Sequence, residues 1–148
     1  DKFFEVVSND ENMKLASRTN KALSEFVSTS FSDSIIVAWT QVEIYLYEKM
    51  QKYAKSNQAR FNADRRKRLK KDVTASETIE ILEVGGQLSI DEYKDINKIR
   101  KIRNGIIHEG KVASFEDACA AIQLLENIIN EKTSQNIKLA LGIRMSLF

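Results

Sequence analysis

The sequence predicts an all-α fold, and three of its features support this. The chain contains no proline and five glycines in 148 residues, whereas folds built from many tight turns usually need more of both. Its hydrophobic fraction of 43% is sufficient for a folded core without disulfides or metal. Apolar residues also recur mainly at helical spacing. We therefore expect a four- to five-helix up-and-down bundle over residues 1–133, followed by a separate tail at 134–148.

The first two helices are predicted in the N-terminal third of the chain. Residues 8–10 offer N-caps to the first helix, and a Ser/Thr-rich stretch ends it. Ser32 or Asp33 is expected to cap a second helix that runs to about Lys55. The apolar face of the first helix would comprise Leu15, Ala16, Thr19, Ala22, Leu23, Phe26 and Val27. That of the second would comprise Ile36, Trp39, Val42, Leu46, Met50 and Tyr53.

A strongly basic segment follows at residues 60–71, where seven of twelve residues are basic and only Asp64 is acidic. Mutual repulsion should keep this segment exposed, either as a linker or as the start of a polar helix. A short helix is expected at about 74–84. It should stop at Gly85-Gly86, because glycine readily adopts the left-handed conformation of a C-terminal cap.

Two capping boxes predict the last two helices. Ser89 and Glu92 would open a helix over about 89–108, and Ser114 and Asp117 would open the final one. The first of these carries Tyr93, Ile96, Ile99, Ile102, Ile106 and Ile107. The final helix is expected to bury Phe115, Ala118, Cys119, Ile122, Leu125 and Ile129.

The tail beyond Ser134 has a different pattern, because apolar residues alternate with smaller or polar ones at the period of a strand. A single strand needs a partner. That partner would be a second copy of the chain, the apolar residues 3–7, or sequence beyond this chain, and a helical arm is the alternative.

Composition narrows the classes of protein. The net charge of +2 does not by itself indicate a nucleic-acid binder. A lone cysteine, Cys119, cannot form an internal disulfide, and no long apolar run suggests a membrane span. We expect a cytoplasmic protein with no membrane association. Because the chain begins at Asp1 rather than methionine, we also expect it to be part of something longer.

The helix over 89–108 carries an unusual arginine. At about 100° per residue, Arg103 falls in the middle of an apolar arc. A guanidinium in such a place needs an anionic partner, an anionic substrate or a groove that reaches water. Asn104 and His108 lie one turn apart on the flank of this arc, and Arg100 precedes them on the same stripe.

His108 is the only histidine of the chain, which excludes histidine-rich metal sites. Histidine is the side chain that most readily moves a proton near neutral pH, and a fixed guanidinium can neutralise charge that builds on a phosphate. The amide of Asn104 can hold an imidazole tautomer or a phosphate oxygen. This combination predicts phosphate chemistry without a metal or cofactor.

The segment IRKIRNGIIHEG, at residues 99–110, resembles the R-N-x-x-x-H form of the motif of the HEPN family. The segment WTQVEIYL, at residues 39–46, is similar to the family's helix that carries an acidic residue ahead of the motif, with Glu43 in that role. The resemblance covers roughly residues 33–131. One toxin subtype of the family carries a tyrosine two residues beyond the histidine, whereas this chain has Glu109-Gly110 after the histidine. This difference argues against that subtype.

The resemblance implies a helical bundle, a homodimer that places two motifs face to face, and a metal-independent endoribonuclease that leaves a cyclic phosphate and a 5′-hydroxyl. Arg103, Asn104 and His108 would then be catalytic, supported by Glu43 and Arg100. A toxin, phage-defence or RNA-processing role is expected, with an antitoxin or a partner domain as a further partner. The basic residues expected to contact RNA are Arg65, Arg66, Lys67, Arg68, Lys70 and Lys71.

Two alternatives remain open from the residues. Arg103 could simply form a salt bridge with Glu43 or another acid, and His108 could be a helix C-terminal histidine favoured by the helix dipole. The chain would then be a HEPN-like dimerisation or RNA- or nucleotide-binding module without catalysis. The other alternative is a helical interaction protein whose C-terminal tail is the functional element.

Overall fold

The computed structural model describes residues 10–133, which are mostly helical and contain no strand. An all-α architecture is thereby confirmed for this part of the chain. The predicted tail strand and residues 3–7 lie outside the described residues. The six helices are α1 (Asp10–Val27), α2 (Phe31–Ser56), α3 (Ala63–Lys71), α4 (Ala75–Val84), α5 (Ile90–Glu109) and α6 (Phe115–Thr133).

The helix count exceeds the expected four to five because the basic segment is itself a helix, α3. Asn62 is its N-cap, and the Asn62 side chain accepts a hydrogen bond from the backbone N–H of Arg65 at 2.9 Å. None of the residues of α3 is buried. A linker at 60–71 was therefore wrong, whereas the polar helix and its exposure are confirmed.

The described residues divide into two compact units. Unit 1 comprises residues 10–42 and 99–133, and unit 2 comprises residues 43–98. The boundaries fall inside α2 and α5.

Unit 1 is built around the packing of α1 against α6. Its most deeply buried side chains include Phe26, Ile35, Trp39, Ile122 and Leu125. Three residues predicted for the apolar helix faces are less buried than expected: Val27 is 69% exposed, Phe115 is 39% exposed, and Cys119 is half-buried. Phe115 nevertheless packs at the end of the unit, since its ring lies 5.5 Å from that of Phe26.

The start of α2 differs from the prediction. The helix begins at Phe31, so Ser32 and Asp33 lie inside it rather than at its cap. The Ser32 hydroxyl instead accepts a hydrogen bond from the backbone N–H of Ala113 at 3.0 Å. This bond ties the loop that follows α5 to the first turn of α2, within unit 1.

Unit 2 has its own buried side chains on α2, α4 and the start of α5, among them Leu46, Met50, Ile79, Leu82 and Ile96. The two glycines after α4 form the expected C-terminal cap. Gly86 has a φ of +68°, and its N–H donates to the carbonyl of Glu83 at 2.9 Å while that of Gln87 donates to Leu82 at 2.7 Å. This pair of bonds satisfies carbonyls that the helix end would leave unpaired.

Helix α4 opens with a capping box that was not predicted. The Thr74 hydroxyl accepts from the backbone N–H of Glu77 at 3.2 Å, and the Glu77 carboxylate accepts from the backbone N–H of Thr74 at 2.8 Å. Thr74 donates two hydrogen bonds to the Glu77 carboxylate, one from its backbone N–H and one from its hydroxyl. The backbone bond first, and then the hydroxyl bond, lower the pKa of Glu77, because both favour the charged carboxylate.

Both predicted capping boxes are confirmed. Ser89 donates its backbone N–H to the Glu92 carboxylate at 2.7 Å, and the N–H of Glu92 donates to the Ser89 hydroxyl at 3.2 Å. Ser114 and Asp117 exchange the same two bonds, each at 3.1 Å. These caps set the register of α5 and α6, and therefore the faces on which the residues of the predicted motif lie.

Candidate active site

The motif residues occupy the last two turns of α5 in unit 1. The helix ends at Glu109, and Gly110 adopts the left-handed conformation with a φ of +65°. The backbone N–H of Lys111 then donates to the carbonyl of Gly105 at 3.1 Å. This turn places His108 in the final helical turn, where its side chain is exposed.

Arg103 lies half-buried at the start of these two turns. Its Nη1 donates to the Oδ1 atom of Asn104 at 3.1 Å. Its Nε is fully buried and has no hydrogen-bond partner among the described residues, and within unit 1 no carboxylate pairs with this guanidinium. A buried donor without a partner costs roughly 1–3 kcal/mol. The local arrangement therefore carries an unsatisfied positive group.

The hydrogen bond to Asn104 directs the guanidinium around the helix. Residues 103 and 108 are separated by about 140° at helical spacing, whereas residues 104 and 108 are separated by only about 40°. Because Arg103 reaches Asn104, its head group lies towards the stripe that also carries His108. The structure thus brings Arg103 and Asn104 into direct contact and places His108 one turn beyond Asn104.

Arg100 lies one turn before Asn104 on the same stripe. Its side chain is half-buried and takes part in an interaction of its own. It extends the positive character of the stripe.

The surface of α5 becomes more exposed towards its end. Ile99 is buried, with 1% exposure, whereas Ile107 is 47% exposed and Val112, in the following loop, is 87% exposed. Glu109 and Lys111 beside them form an exposed ion pair at 2.6 Å. The charge of Glu109 is therefore balanced locally, and the imidazole of His108 is accessible between exposed apolar side chains.

Glu43 belongs to unit 2, where it is exposed on α2. It lines a cavity of about 180 Å³ together with Gln51, Lys70 and Thr78. The Nε2 atom of Gln51 is buried there without a hydrogen-bond partner among the described residues. A supporting role for Glu43 at the motif stays a prediction.

The six predicted RNA-contacting residues all lie on α3. They are exposed except for Arg66, which is half-buried, and within unit 2 no carboxylate pairs with any of them. The Arg65 guanidinium donates to the carbonyl of Arg60 at 2.8 Å, which joins the helix to the preceding turn. Unit 2 therefore presents unneutralised positive charge to solvent.

A groove next to α3 was not predicted from the sequence. It is open, has a volume of about 380 Å³, and is lined on its apolar side by Tyr53, Phe61, Ile81 and Val84. We call it the aromatic groove. Phe61 is the only aromatic residue within the basic segment, and an aromatic side chain interleaved with cations is the signal that could have located it.

Residues 10–133 offer neither a metal-binding cluster nor a membrane-spanning helix. No group of three or more His, Cys, Asp or Glu side chains within residues 10–133 is placed to hold a metal ion. In the same range, no helix has both the length and the apolar character needed to cross a membrane.

No protein-family model, curated protein or solved structure matches this chain.

Proposed function

We propose that this chain is a metal-independent endoribonuclease of the HEPN type, with a composite site built from Arg103, Asn104 and His108. One observation carries the proposal. The Arg103 guanidinium has a buried donor without a partner and no carboxylate partner in its unit, yet it is held against Asn104 on the side of α5 that bears His108. A phosphate would supply the missing anion.

The reaction is the one that the family resemblance implies, and the groups present can carry it out. The ribose 2′-oxygen attacks the adjacent phosphorus, the bond from phosphorus to the 5′-oxygen breaks, and the products are a 2′,3′-cyclic phosphate and a 5′-hydroxyl. A neutral imidazole accepts the proton of the 2′-hydroxyl, and an imidazolium donates a proton to the leaving 5′-oxygen. Arg103 stabilises the charge that develops on the phosphate in the transition state.

This proton balance supports a homodimeric site. One imidazole cannot serve as base and acid in the same step, and the chain contains a single histidine, His108. A second copy would supply the second imidazole. The exposed side chains of Ile107 and Val112 beside His108 are suited to the surface between two copies, because burying them on association is favourable.

The test is an RNA-cleavage assay in excess chelator. Labelled single-stranded RNA is incubated with wild-type protein, His108→Ala, Arg103→Ala and the control Lys101→Ala, whose side chain is exposed on the same helix. We expect cleavage by wild type and by the control, and a loss of at least about 100-fold for the other two. General acid–base catalysis by His108 would contribute about 10²–10⁴-fold, and removing a group that stabilises transition-state charge, the role of Arg103, costs about 10²–10³-fold. Cleavage that survives His108→Ala at unchanged thermal stability refutes the proposal.

A second candidate function is an RNA-binding module without catalysis, and the exposure of α3 favours it. Its unpaired basic residues suit contacts with phosphates, which gain affinity by releasing counterions. In this case RNA would bind in a salt-sensitive manner, binding would be lost on neutralising residues 65–71, and His108→Ala would change nothing. Binding of this kind without cleavage would favour the module over the enzyme.

A further inference from the structure

The aromatic groove in unit 2 combines an apolar floor with a basic edge. The rings of Tyr53 and Phe61 contact each other edge-on, with centroids 5.3 Å apart and planes inclined by 70°. Such a contact leaves ring faces that the partner ring does not cover. Val84, which is 82% exposed, also lines the groove. A flat apolar ligand in the groove could therefore contact both a ring and an aliphatic side chain.

Charged groups border this floor. Arg60 and Arg65 line the groove and lie at the start of the positive surface of α3. Neither guanidinium is paired with a carboxylate within unit 2. Glu80 also lines the groove, where its carboxylate accepts a hydrogen bond from the Tyr93 hydroxyl at 2.6 Å. The groove thus offers two unneutralised cations and one acceptor that is held in place.

The backbone also approaches the aromatic floor closely. A Cβ atom added at Gly85 would lie 2.6 Å from the ring atom Cζ of Tyr53. Any larger residue would displace this ring, so the glycine allows α4 to end directly against Tyr53. The ring of Tyr53, which is buried with 7% exposure and packs closely against Gly85, consequently forms the floor of the groove.

We propose that the aromatic groove binds a nucleobase of single-stranded RNA, while Arg60 and α3 contact the flanking phosphates. The volume of about 380 Å³ lies within the range of roughly 300–1,000 Å³ typical of small-ligand sites. Stacking of bases on aromatic side chains beside a positively charged surface is the usual way in which proteins hold single strands. The proposal rests on the proposed function in taking RNA as the ligand, but it does not depend on cleavage.

Alternative ligands fit the charges less well. An acidic peptide would satisfy the arginines but would make no use of the aromatic side chains. A double helix would present phosphates but keep its bases stacked inside. A single strand supplies both a free base and the phosphates, and the Glu80 carboxylate can accept from an exocyclic amine of that base.

The first test observes the groove directly by NMR of the full chain. Adenosine 5′-monophosphate is titrated against methyl-labelled protein, with ribose 5-phosphate as the matched probe that lacks a base. We expect saturable shifts of the Val84 and Ile81 methyl groups with the nucleotide and none with the sugar phosphate. Equal shifts with both probes, or none with either, would overturn a base-binding role.

The second test measures RNA affinity in a His108→Ala background, so that the strand is not cut. The probes are an oligoadenylate of about 12 nucleotides and an abasic strand of the same length. Phe61→Leu keeps apolar volume but removes the stacking ring, and Tyr47→Leu is the matched control, since Tyr47 is 49% exposed in unit 2 and does not line the groove. We expect Phe61→Leu alone to weaken oligoadenylate binding, by about 5- to 100-fold, and to leave abasic binding unchanged.

The outcomes separate this inference from the nuclease proposal. Base-dependent binding that Phe61→Leu removes, in a protein that never cleaves RNA, supports the groove and refutes the nuclease. Cleavage by wild-type protein together with equal affinity of Phe61→Leu and Tyr47→Leu for oligoadenylate refutes the groove and leaves the nuclease intact. Equal affinity of the His108→Ala protein for oligoadenylate and the abasic strand also refutes the groove.

Discussion

Replacing Arg103 by methionine should separate stability from function at the motif. Methionine fills a similar elongated space without a buried polar atom. The buried Nε without a partner costs roughly 1–3 kcal/mol, and the bond from Nη1 to Asn104 Oδ1, at 3.1 Å, returns roughly 0.5–1.5 kcal/mol. We therefore expect Arg103→Met to raise the free energy of unfolding by about 1 kcal/mol while abolishing RNA cleavage.

The assay is thermal and urea unfolding in a buffer free of phosphate and sulfate. An increase of about 1 kcal/mol corresponds to a melting temperature higher by about 2–4 °C for a domain of this size. Added phosphate should then stabilise the wild-type protein more than Arg103→Met, because an anion that binds only the folded state adds stability by mass action.

Arg100→Met is the matched control, since Arg100 is half-buried one turn earlier and has an interaction partner. This variant should lose stability, by about 1 kcal/mol, because its partner is left behind. A loss of more than about 1 kcal/mol for Arg103→Met would mean that the guanidinium stabilises the fold. The inference that the guanidinium of Arg103 binds an anion would then be wrong.

Two further predictions concern unit 2. Gly85→Ala should lower the free energy of unfolding by about 1–3 kcal/mol, because the added Cβ would overpack against the buried ring of Tyr53. Gly86→Ala should cost less, because its Cβ meets open space and it adds only the strain of its positive φ, about 1–2 kcal/mol. Equal effects of the two variants in urea unfolding would contradict this difference. The Thr74 bonds lower the pKa of Glu77, so its charged carboxylate stabilises α4 at any pH above the usual pKa range of glutamate. This contribution is lost as the pH falls through the lowered pKa. The stability difference between wild type and Glu77→Gln should accordingly shrink between about pH 7 and about pH 3, and a difference independent of pH would exclude that role.

Local sequence signals predicted the helix boundaries best where side chains bond to the backbone of their own helix. The pairs Ser89/Glu92 and Ser114/Asp117 could be recognised from their spacing of three positions alone. Ser32 failed by the same criterion, because its hydroxyl bonds to Ala113, which is 81 positions away. A cap and a long-range acceptor look identical in sequence, and only the tertiary contact distinguishes them.

The basic segment illustrates a second limit. Charge density at 60–71 did not distinguish a linker from a polar helix, whereas in the structure Asn62 caps α3 and the chain forms two full turns there. Leu69 and Arg66 are half-buried, so a small apolar contact and a cap are sufficient in context.

The candidate site was only partly accessible from sequence. A helical wheel placed Asn104 and His108 together and identified Arg103 as anomalous, because these relations depend on local geometry alone. The bond from Arg103 to Asn104 and the missing partner of its Nε depend on how unit 1 packs. Tyr53 and Phe61 meet in the aromatic groove only because the chain turns between α2 and α3, which periodicity does not predict.

Attack by the ribose 2′-oxygen is tested by cleavage, in excess chelator, of a labelled RNA that carries one 2′-deoxy substitution at the mapped cut site. We predict that the unmodified strand yields a 2′,3′-cyclic phosphate and a 5′-hydroxyl, that the substituted strand is not cut at this position, and that His108→Ala cuts neither strand. Cleavage of the substituted strand, or products with 5′-phosphates, would contradict attack by the 2′-oxygen and with it the assigned roles of Arg103 and His108.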